Sequence, residues 1–82
     1  MTARIEYKSP YPLINLRLEI GDIYFPILER RGQRVFVYKH KLSAELLKGY
    51  AAKHLKIRGY TSEKGWYDLP TEELTIAEEG VL

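Results

Sequence analysis

The sequence predicts a single α+β domain in which a small antiparallel β-sheet of three or more strands packs against one main α-helix. Residues 13–20 alternate between apolar and polar side chains, as the residues of a half-buried strand do. Glycine-containing reversals separate the apolar segments that follow, and from residue 43 the spacing of apolar residues becomes helical. With 82 residues and 45% hydrophobic content, the chain has enough material for one core and one domain, residues 1–82.

The first strands follow from alternation and turn chemistry. Residues 4–8 predict a short edge strand, which the two prolines of residues 9–12 interrupt. Residues 13–20 form the next strand, and Gly21-Asp22 predicts a two-residue type II′ turn after it. This turn sets three pairs of residues opposite one another: Ile20 and Ile23, Leu18 and Phe25, and Leu16 and Ile27.

Two further reversals are centred on glycines. In residues 30–34, RRGQR, Gly32 supplies left-handed backbone for the turn into a third strand over residues 35–41. In residues 60–69, Gly65 suits the bulge position of a three-residue hairpin loop. Both segments therefore predict antiparallel hairpins.

A helix is predicted from Ser43, a good N-cap, to Gly59, which ends it. Leu42 and Leu47 are spaced for a hydrophobic staple at its start. The side chains expected on its buried side are Leu46, Leu47, Tyr50, Ala51, His54 and Leu55. The core is expected to centre on Leu16, Leu18, Phe25, Leu47 and Tyr50.

Charge divides the chain into a basic body, residues 1–67, and an acidic C-terminal segment, residues 68–82. The body carries all thirteen Lys and Arg and six acidic residues, a formal charge of +7, whereas the segment carries five acidic residues and no base. Such a division indicates polyanion binding or self-screening. The segment itself is open to two interpretations. It competes with a polyanion for the basic surface, or its apolar residues, Leu74, Ile76, Ala77, Val81 and Leu82, pack on the sheet or a second subunit.

No catalytic, metal or cofactor signature is present. The serines lack a Gly-x-Ser-x-Gly context, the single glycines do not form a phosphate loop, and cysteine is absent. His40 and His54 have no visible carboxylate partners for a metal. We therefore expect neither cofactor nor metal, and enzymatic activity is not favoured. The absence of a long apolar run or signal sequence predicts a cytoplasmic protein without membrane contact. One Asn, one Gln, one Met and no Cys lean towards a thermophilic composition.

Basic side chains interleaved with aromatic ones predict a nucleic-acid-binding site on the hairpin and the sheet face. Arg and Asn can pair with base edges, while Lys and turn Arg can neutralise phosphates, and a β-ribbon fits a major groove. We therefore predict a small nucleic-acid-binding protein, with DNA favoured. The opposing interpretation is a merely solvated sheet face. The candidate residues are Asn15, Arg17, Tyr24, Arg30, Arg31, Arg34, Lys39 and Lys41.

The order of three strands and a helix over residues 13–59, with a basic sheet face, is similar to that of the small sheet domains of phage integrase arms. The resemblance covers only residues 13–59. It rests on topology, which many unrelated functions share.

An aromatic cluster supports an alternative function. Tyr60, Trp66 and Tyr67 precede the acidic segment, and such residues are enriched at protein interfaces. The chain is then a protein-interaction module or a subunit of a homo-oligomer that binds through this cluster and the acidic tail. A homodimer is expected under either function, because 82 residues make a thin core.

Overall fold

The computed structural model describes residues 2–25 and 29–79, so the predicted pairing of Leu16 with Ile27 lies outside the described residues. Within them lie eight β-strands and one α-helix. Their bounds are β1 Thr2–Lys8, β2 Asn15–Ile20, β3 Ile23–Phe25, β4 Glu29–Arg31, β5 Val35–His40, α1 Ala44–His54, β6 Leu55–Thr61, β7 Gly65–Asp68 and β8 Leu74–Glu79.

The strands form two antiparallel sheets of four strands each. Sheet A has the order β4-β5-β1-β8, and sheet B has the order β3-β2-β6-β7. Helix α1 contacts β1 and β8 of sheet A and β2 and β6 of sheet B. The predicted α+β class with antiparallel pairing and one helix is confirmed. The division into two sheets was not predicted, and it separates β2 and β3 from β5, which the sequence placed together.

The core lies between the inner faces of the two sheets and is closed by the helix. Alternate residues of β1, β2 and β5 point into it, and Tyr7 and Tyr38 are among its largest fully buried side chains. The buried cluster comprises Ala3, Ile5, Tyr7, Leu13, Leu16, Leu18, Ile20, Phe25, Phe36, Tyr38, Ala44, Leu47, Ile57 and Leu69. Four of the five residues predicted at its centre belong to it, and Tyr50 does not.

Local turn chemistry is confirmed. Gly21 has a φ of 62°, and among the described non-glycine residues none has a positive φ, so the turn carries its left-handed residue first, as type II′ requires. Leu18 pairs with Phe25 and Ile20 with Ile23. Gly32, with a φ of 70°, makes the reversal between β4 and β5.

The helix is shorter and its buried stripe narrower than predicted. Ser43 is the N-cap, since its Oγ accepts the Leu46 N–H at 3.2 Å. The helix ends at His54, and residues 55–61 form β6 because their alternation lets them pair along the length of β2 while burying Ile57. Gly59 therefore lies within a strand. Three residues predicted on the buried side are exposed: Leu46, Tyr50 and His54.

The C-terminal segment contributes a strand to sheet A. Strand β8 pairs with β1, which makes β1 an inner strand rather than the predicted edge. Leu74 and Ile76 are half-buried and pack against the core. The Glu78 carboxylate accepts the Ala44 N–H at 3.1 Å, at the positive end of the helix dipole. Residues 74–79 thus have a structural role, and Val81 and Leu82 lie outside the described residues.

Candidate nucleic-acid interface

The outward face of sheet B brings together candidate residues from both functions that the sequence predicted. Its side chains alternate with the buried residues of β2, β3 and β6, and the strand register aligns them in three rows. We call this surface the sheet B outer face. It consists of Asn15, Arg17, Glu19, Tyr24, Lys56, Arg58, Tyr60, Trp66 and Asp68.

The first row joins an amide to two aromatic rings. Asn15 on β2 is the register partner of Tyr60 on β6, which is in turn the partner of Trp66 on β7. The Tyr60 and Trp66 ring centroids are 5.4 Å apart, and 42% of the Trp66 surface is exposed. The Asn15 Oδ1 accepts the Leu16 N–H at 2.8 Å, which leaves the amide NH₂ group available as a donor.

The second row carries two guanidinium groups beside carboxylates. Arg17 pairs in register with Arg58, and Arg58 pairs with Asp68. Arg17 Nε lies 2.7 Å from a carboxylate oxygen of Glu19, and Arg58 Nε lies 3.9 Å from one of Asp68. These charges are partly exposed, so each pair contributes only about 0–1 kcal/mol and can be exchanged for another anion.

The third row places an exposed ring at the other end of the same face. Tyr24 on β3 is the register partner of Glu19, whose partner on β6 is Lys56. The Arg17 Cζ lies 5.3 Å from the centroid of the Tyr24 ring, within the range of a cation–π contact. Strand geometry puts Tyr24 roughly 17 Å from Tyr60, so the aromatic rings bracket the arginines.

Lys56 and Arg58 were not among the candidates, because residues 55–58 were assigned to the helix. The signal that identifies them is present in the sequence. Residues 55–60 alternate strictly between apolar or glycine positions and basic or aromatic ones, which is the pattern of a half-buried strand.

Two of the three arginines of the β4–β5 hairpin bind the protein's own backbone. Arg30 donates from both Nη atoms, to the carbonyl oxygens of Ile14 and Leu13, each at 2.9 Å, and its Cζ lies 4.9 Å from the Phe36 ring centroid. Arg34 likewise donates from Nε to the Ser9 carbonyl oxygen and from Nη2 to the Pro10 carbonyl oxygen, each at 3.0 Å. The two side chains therefore hold the linker of residues 9–14, which leads into β2.

The remaining basic candidates lie away from the sheet B outer face. Arg31 is exposed, with its Nε 3.4 Å from a Glu29 carboxylate oxygen. Lys39 is on sheet A, with its Nζ 3.6 Å from a Glu79 carboxylate oxygen. Lys41 is exposed in the turn before α1. The structure thus divides the predicted basic site between the two sheets.

The predicted aromatic cluster is also divided. Tyr67 is the register partner of Gly59, on the face of β7 opposite to that of Trp66, and packs against the core. The Lys64 Nζ lies 5.1 Å from the Tyr67 ring centroid. Tyr67 consequently belongs to the interior side, whereas Tyr60 and Trp66 belong to the sheet B outer face.

The histidines and acidic residues are not clustered as metal ligands in the described part of the chain. His40 Nδ1 accepts the Leu42 N–H at 3.1 Å, and its ring packs edge-on to Phe25 with centroids 5.2 Å apart. Within residues 2–25 and 29–79, no group of three His, Asp or Glu side chains is placed to hold a metal ion. No helix in these same residues is long and apolar enough to span a membrane.

The sheet B outer face therefore combines stacking surfaces, guanidinium groups and one amide on a single exposed sheet. Comparison with known proteins adds no identification: no protein family, no curated protein and no solved structure matches this chain.

Proposed function

We propose that this protein binds single-stranded nucleic acid on the sheet B outer face. The observation that carries the proposal is the row formed by Asn15, Tyr60 and Trp66, in which the half-buried Tyr60 ring lies beside the exposed Trp66 ring on one face of a four-stranded sheet. Unpaired bases stack on such rings, and the guanidinium and ammonium groups of the adjacent rows can contact the phosphates.

Each class of side chain has a distinct role in this proposal. Tyr24, Tyr60 and Trp66 supply stacking surfaces, each worth about 1–3 kcal/mol per base. Arg17 and Arg58 leave their carboxylate partners for phosphate oxygens, which accept bidentate hydrogen bonds equally well. The basic body, with a formal charge of +7 over residues 1–67, attracts the polyanion at a distance.

Single strands are favoured over the duplex groove that the sequence suggested. Two of the three hairpin arginines, Arg30 and Arg34, already donate to backbone carbonyls, so fewer donors are left for phosphates along a groove. In a duplex the bases are already stacked on one another, and exposed rings gain little there. The aromatic sheet face instead suits bases that are unpaired.

Fluorescence anisotropy with labelled oligothymidine, oligouridine and a duplex of equal length tests this function. We expect the wild type to bind both single strands more tightly than the duplex. Trp66→Ala should weaken binding by about 5- to 150-fold, the loss expected when one base no longer stacks on an aromatic ring. Tyr11→Ala, which removes an exposed ring from the 9–14 linker, is the matched control and should leave the affinity unchanged.

Salt titrations separate phosphate contacts from stacking. Arg17→Ala and Arg58→Ala should each reduce the slope of log affinity against log salt by about 0.7, the value for one phosphate contact on a single strand. Lys48→Ala, which removes an exposed lysine from α1, should leave the slope unchanged. Preference for the duplex, or equal effects of Trp66→Ala and Tyr11→Ala, would contradict the proposal.

The second candidate is binding of a protein partner at the same surface. The exposed Trp66 ring beside Tyr60 favours it, because such rings are common at the centres of protein interfaces. Failure of every oligonucleotide to bind at low salt would remove the nucleic-acid function and leave this one.

A further inference from the structure

Helix α1 presents an apolar surface to solvent that the proposed function does not use. Leu46 and Tyr50 are 52% and 48% exposed, large fractions for apolar side chains on a helix whose other side packs on the core. A groove of about 560 Å³ runs along this surface, lined by Glu45, Leu46, Gly49, Tyr50, Lys53 and His54. A second groove of about 370 Å³ shares Tyr50 and His54 and continues to Ile20, Ile23 and Leu42.

The residues of this α1 outer face form two parallel ridges. Residues four apart stack along one side of a helix, so one ridge consists of Glu45, Gly49 and Lys53. The other ridge consists of Leu46, Tyr50 and His54. Ridges of this kind interlock with the grooves of a second helix in the commonest mode of helix packing.

Gly49 has no evident purpose within its own chain. It lies in the middle of α1 and is exposed, and a Cβ added there would meet no atom within 4 Å. Glycine at such a position weakens a helix relative to alanine. A position without a side chain does allow the close approach of another helix, and the Tyr50 ring of a partner is large enough to cover it.

We propose that a second copy of this chain packs on the α1 outer face as an antiparallel, two-fold symmetric helix pair. With the axis between Gly49 and Tyr50, the Tyr50 ring of each copy lies over Gly49 of the other. The acidic end of the face, Glu45, then meets the basic end, Lys53 and His54, of the second copy. Because of the two-fold symmetry each contact occurs twice, as in an isologous dimer.

Charge complementarity is the reason to choose a second copy over another protein. The single acid and the two basic residues of the α1 outer face lie at opposite ends of the helix. When this face pairs with itself, the antiparallel arrangement matches both ends at once, whereas the parallel arrangement brings like charges together. The proposal does not depend on what the sheet B outer face binds.

Sedimentation velocity over a range of protein concentrations tests the dimer. We expect a reversible dimer of the wild type and about a tenfold higher dissociation constant for Lys53→Glu, since each of the two symmetry-related contacts then brings two carboxylates together. The double variant Glu45→Lys with Lys53→Glu should recover most of the affinity. Lys48 is exposed and lies roughly 150° around the helix from the middle of this face, so Lys48→Glu is the matched control and should dimerise like the wild type. Circular dichroism verifies that each variant retains its helix.

Gly49→Ala separates the effect on the interface from the effect on the fold. It should raise the thermal stability measured at monomeric concentrations and weaken the dimer, because the added methyl group holds the two helices apart. Gly49→Leu should weaken the dimer further. A wild-type protein that stays monomeric at every concentration would overturn the proposal. So would a dimer that is insensitive to Lys53→Glu and Gly49→Ala, or a charge reversal that the double variant does not rescue.

Discussion

Two hydrogen bonds join Ser9 and Arg34, and each residue donates one of them. The Ser9 N–H donates to the Arg34 carbonyl oxygen at 2.6 Å, and the Arg34 Nε donates to the Ser9 carbonyl oxygen at 3.0 Å. The Arg34 Nη2 adds a bond to the Pro10 carbonyl oxygen at 3.0 Å. Ser9 is buried, and its Oγ donates to the Tyr11 carbonyl oxygen at 2.6 Å. A side chain that the sequence suggested for phosphate contact therefore ties the linker after β1 to the β4–β5 hairpin.

The first prediction concerns this link. Arg34→Ala removes two charge-assisted hydrogen bonds, so we expect the free energy of unfolding to fall by about 1–2 kcal/mol in urea titrations. Arg31→Ala in the same hairpin is the control and should change it by less than about 0.5 kcal/mol, since its contact with Glu29 is exposed. Equal effects of the two substitutions would show that the Arg34 bonds do not stabilise the fold.

Sequence periodicity and turn residues were sufficient to predict those parts of the fold that depend on neighbouring residues in the chain. The Gly21-Asp22 turn fixes the register of β2 and β3 by itself, because a two-residue hairpin leaves no freedom in pairing. The Ser43 cap and the start of α1 are equally local. The same alternation correctly placed Arg17 and Tyr24 on the exposed side of their strands, because their neighbours in the chain are buried or half-buried.

Pairing between distant segments was not predictable in the same way. Strand β1 lies between β5 and β8, and nothing near Ile5 in the chain specifies that Tyr38 and Ile76 become its neighbours. The end of α1 was misplaced because Leu55 fits both a helical stripe and the first position of an alternating strand. The same error removed Arg58 from the predicted site, since Arg58 reaches the sheet B outer face only if residues 55–61 are extended.

A second prediction follows from the close packing over Gly59. A Cβ at this position would lie 2.8 Å from a methyl group of Leu13 and 2.9 Å from one of Leu69. Gly59→Ala should therefore destabilise the protein by about 1–3 kcal/mol through overpacking. Gly49→Ala, where the added methyl group meets nothing, should instead stabilise the monomer by about 0.5–1 kcal/mol. Urea unfolding at monomeric concentrations measures both, and a stabilising Gly59→Ala would contradict the packing described here.

The third prediction compares two apolar residues of α1. Leu47 is fully buried between the helix and the sheets, whereas nearly half of Tyr50 is exposed. Leu47→Ala should lower the free energy of unfolding by about 2–5 kcal/mol, through lost burial and the cavity left behind. Tyr50→Ala should lower it by less than about 1 kcal/mol when measured on the monomer. Comparable losses would mean that the helix is rotated about its axis relative to the structure.

The fourth prediction concerns alkaline stability and rests on Tyr7. Its Oη donates to the Pro70 carbonyl oxygen at 2.7 Å, and the side chain is fully buried. Burial, with smaller contributions from the carboxylates of Glu73 and Glu72, raises the pKa of Tyr7 from 10.0 to about 12. Burial likewise raises the pKa of Tyr38.

The direction of the pH effect follows from this raised pKa. The folded protein keeps the Tyr7 proton at a pH where the unfolded chain has released it, so ionisation favours unfolding. The contribution is fully present below pH 10 and is lost as the pH rises from about 10 to about 12. Urea unfolding midpoints should therefore fall steeply across this range. Tyr7→Phe loses the bond to Pro70 and should be less stable at neutral pH, yet its stability should decline less steeply above pH 10. Parallel pH profiles for the variant and the wild type would contradict the raised pKa of Tyr7, and tyrosinate absorbance of the folded protein provides an independent measurement of it.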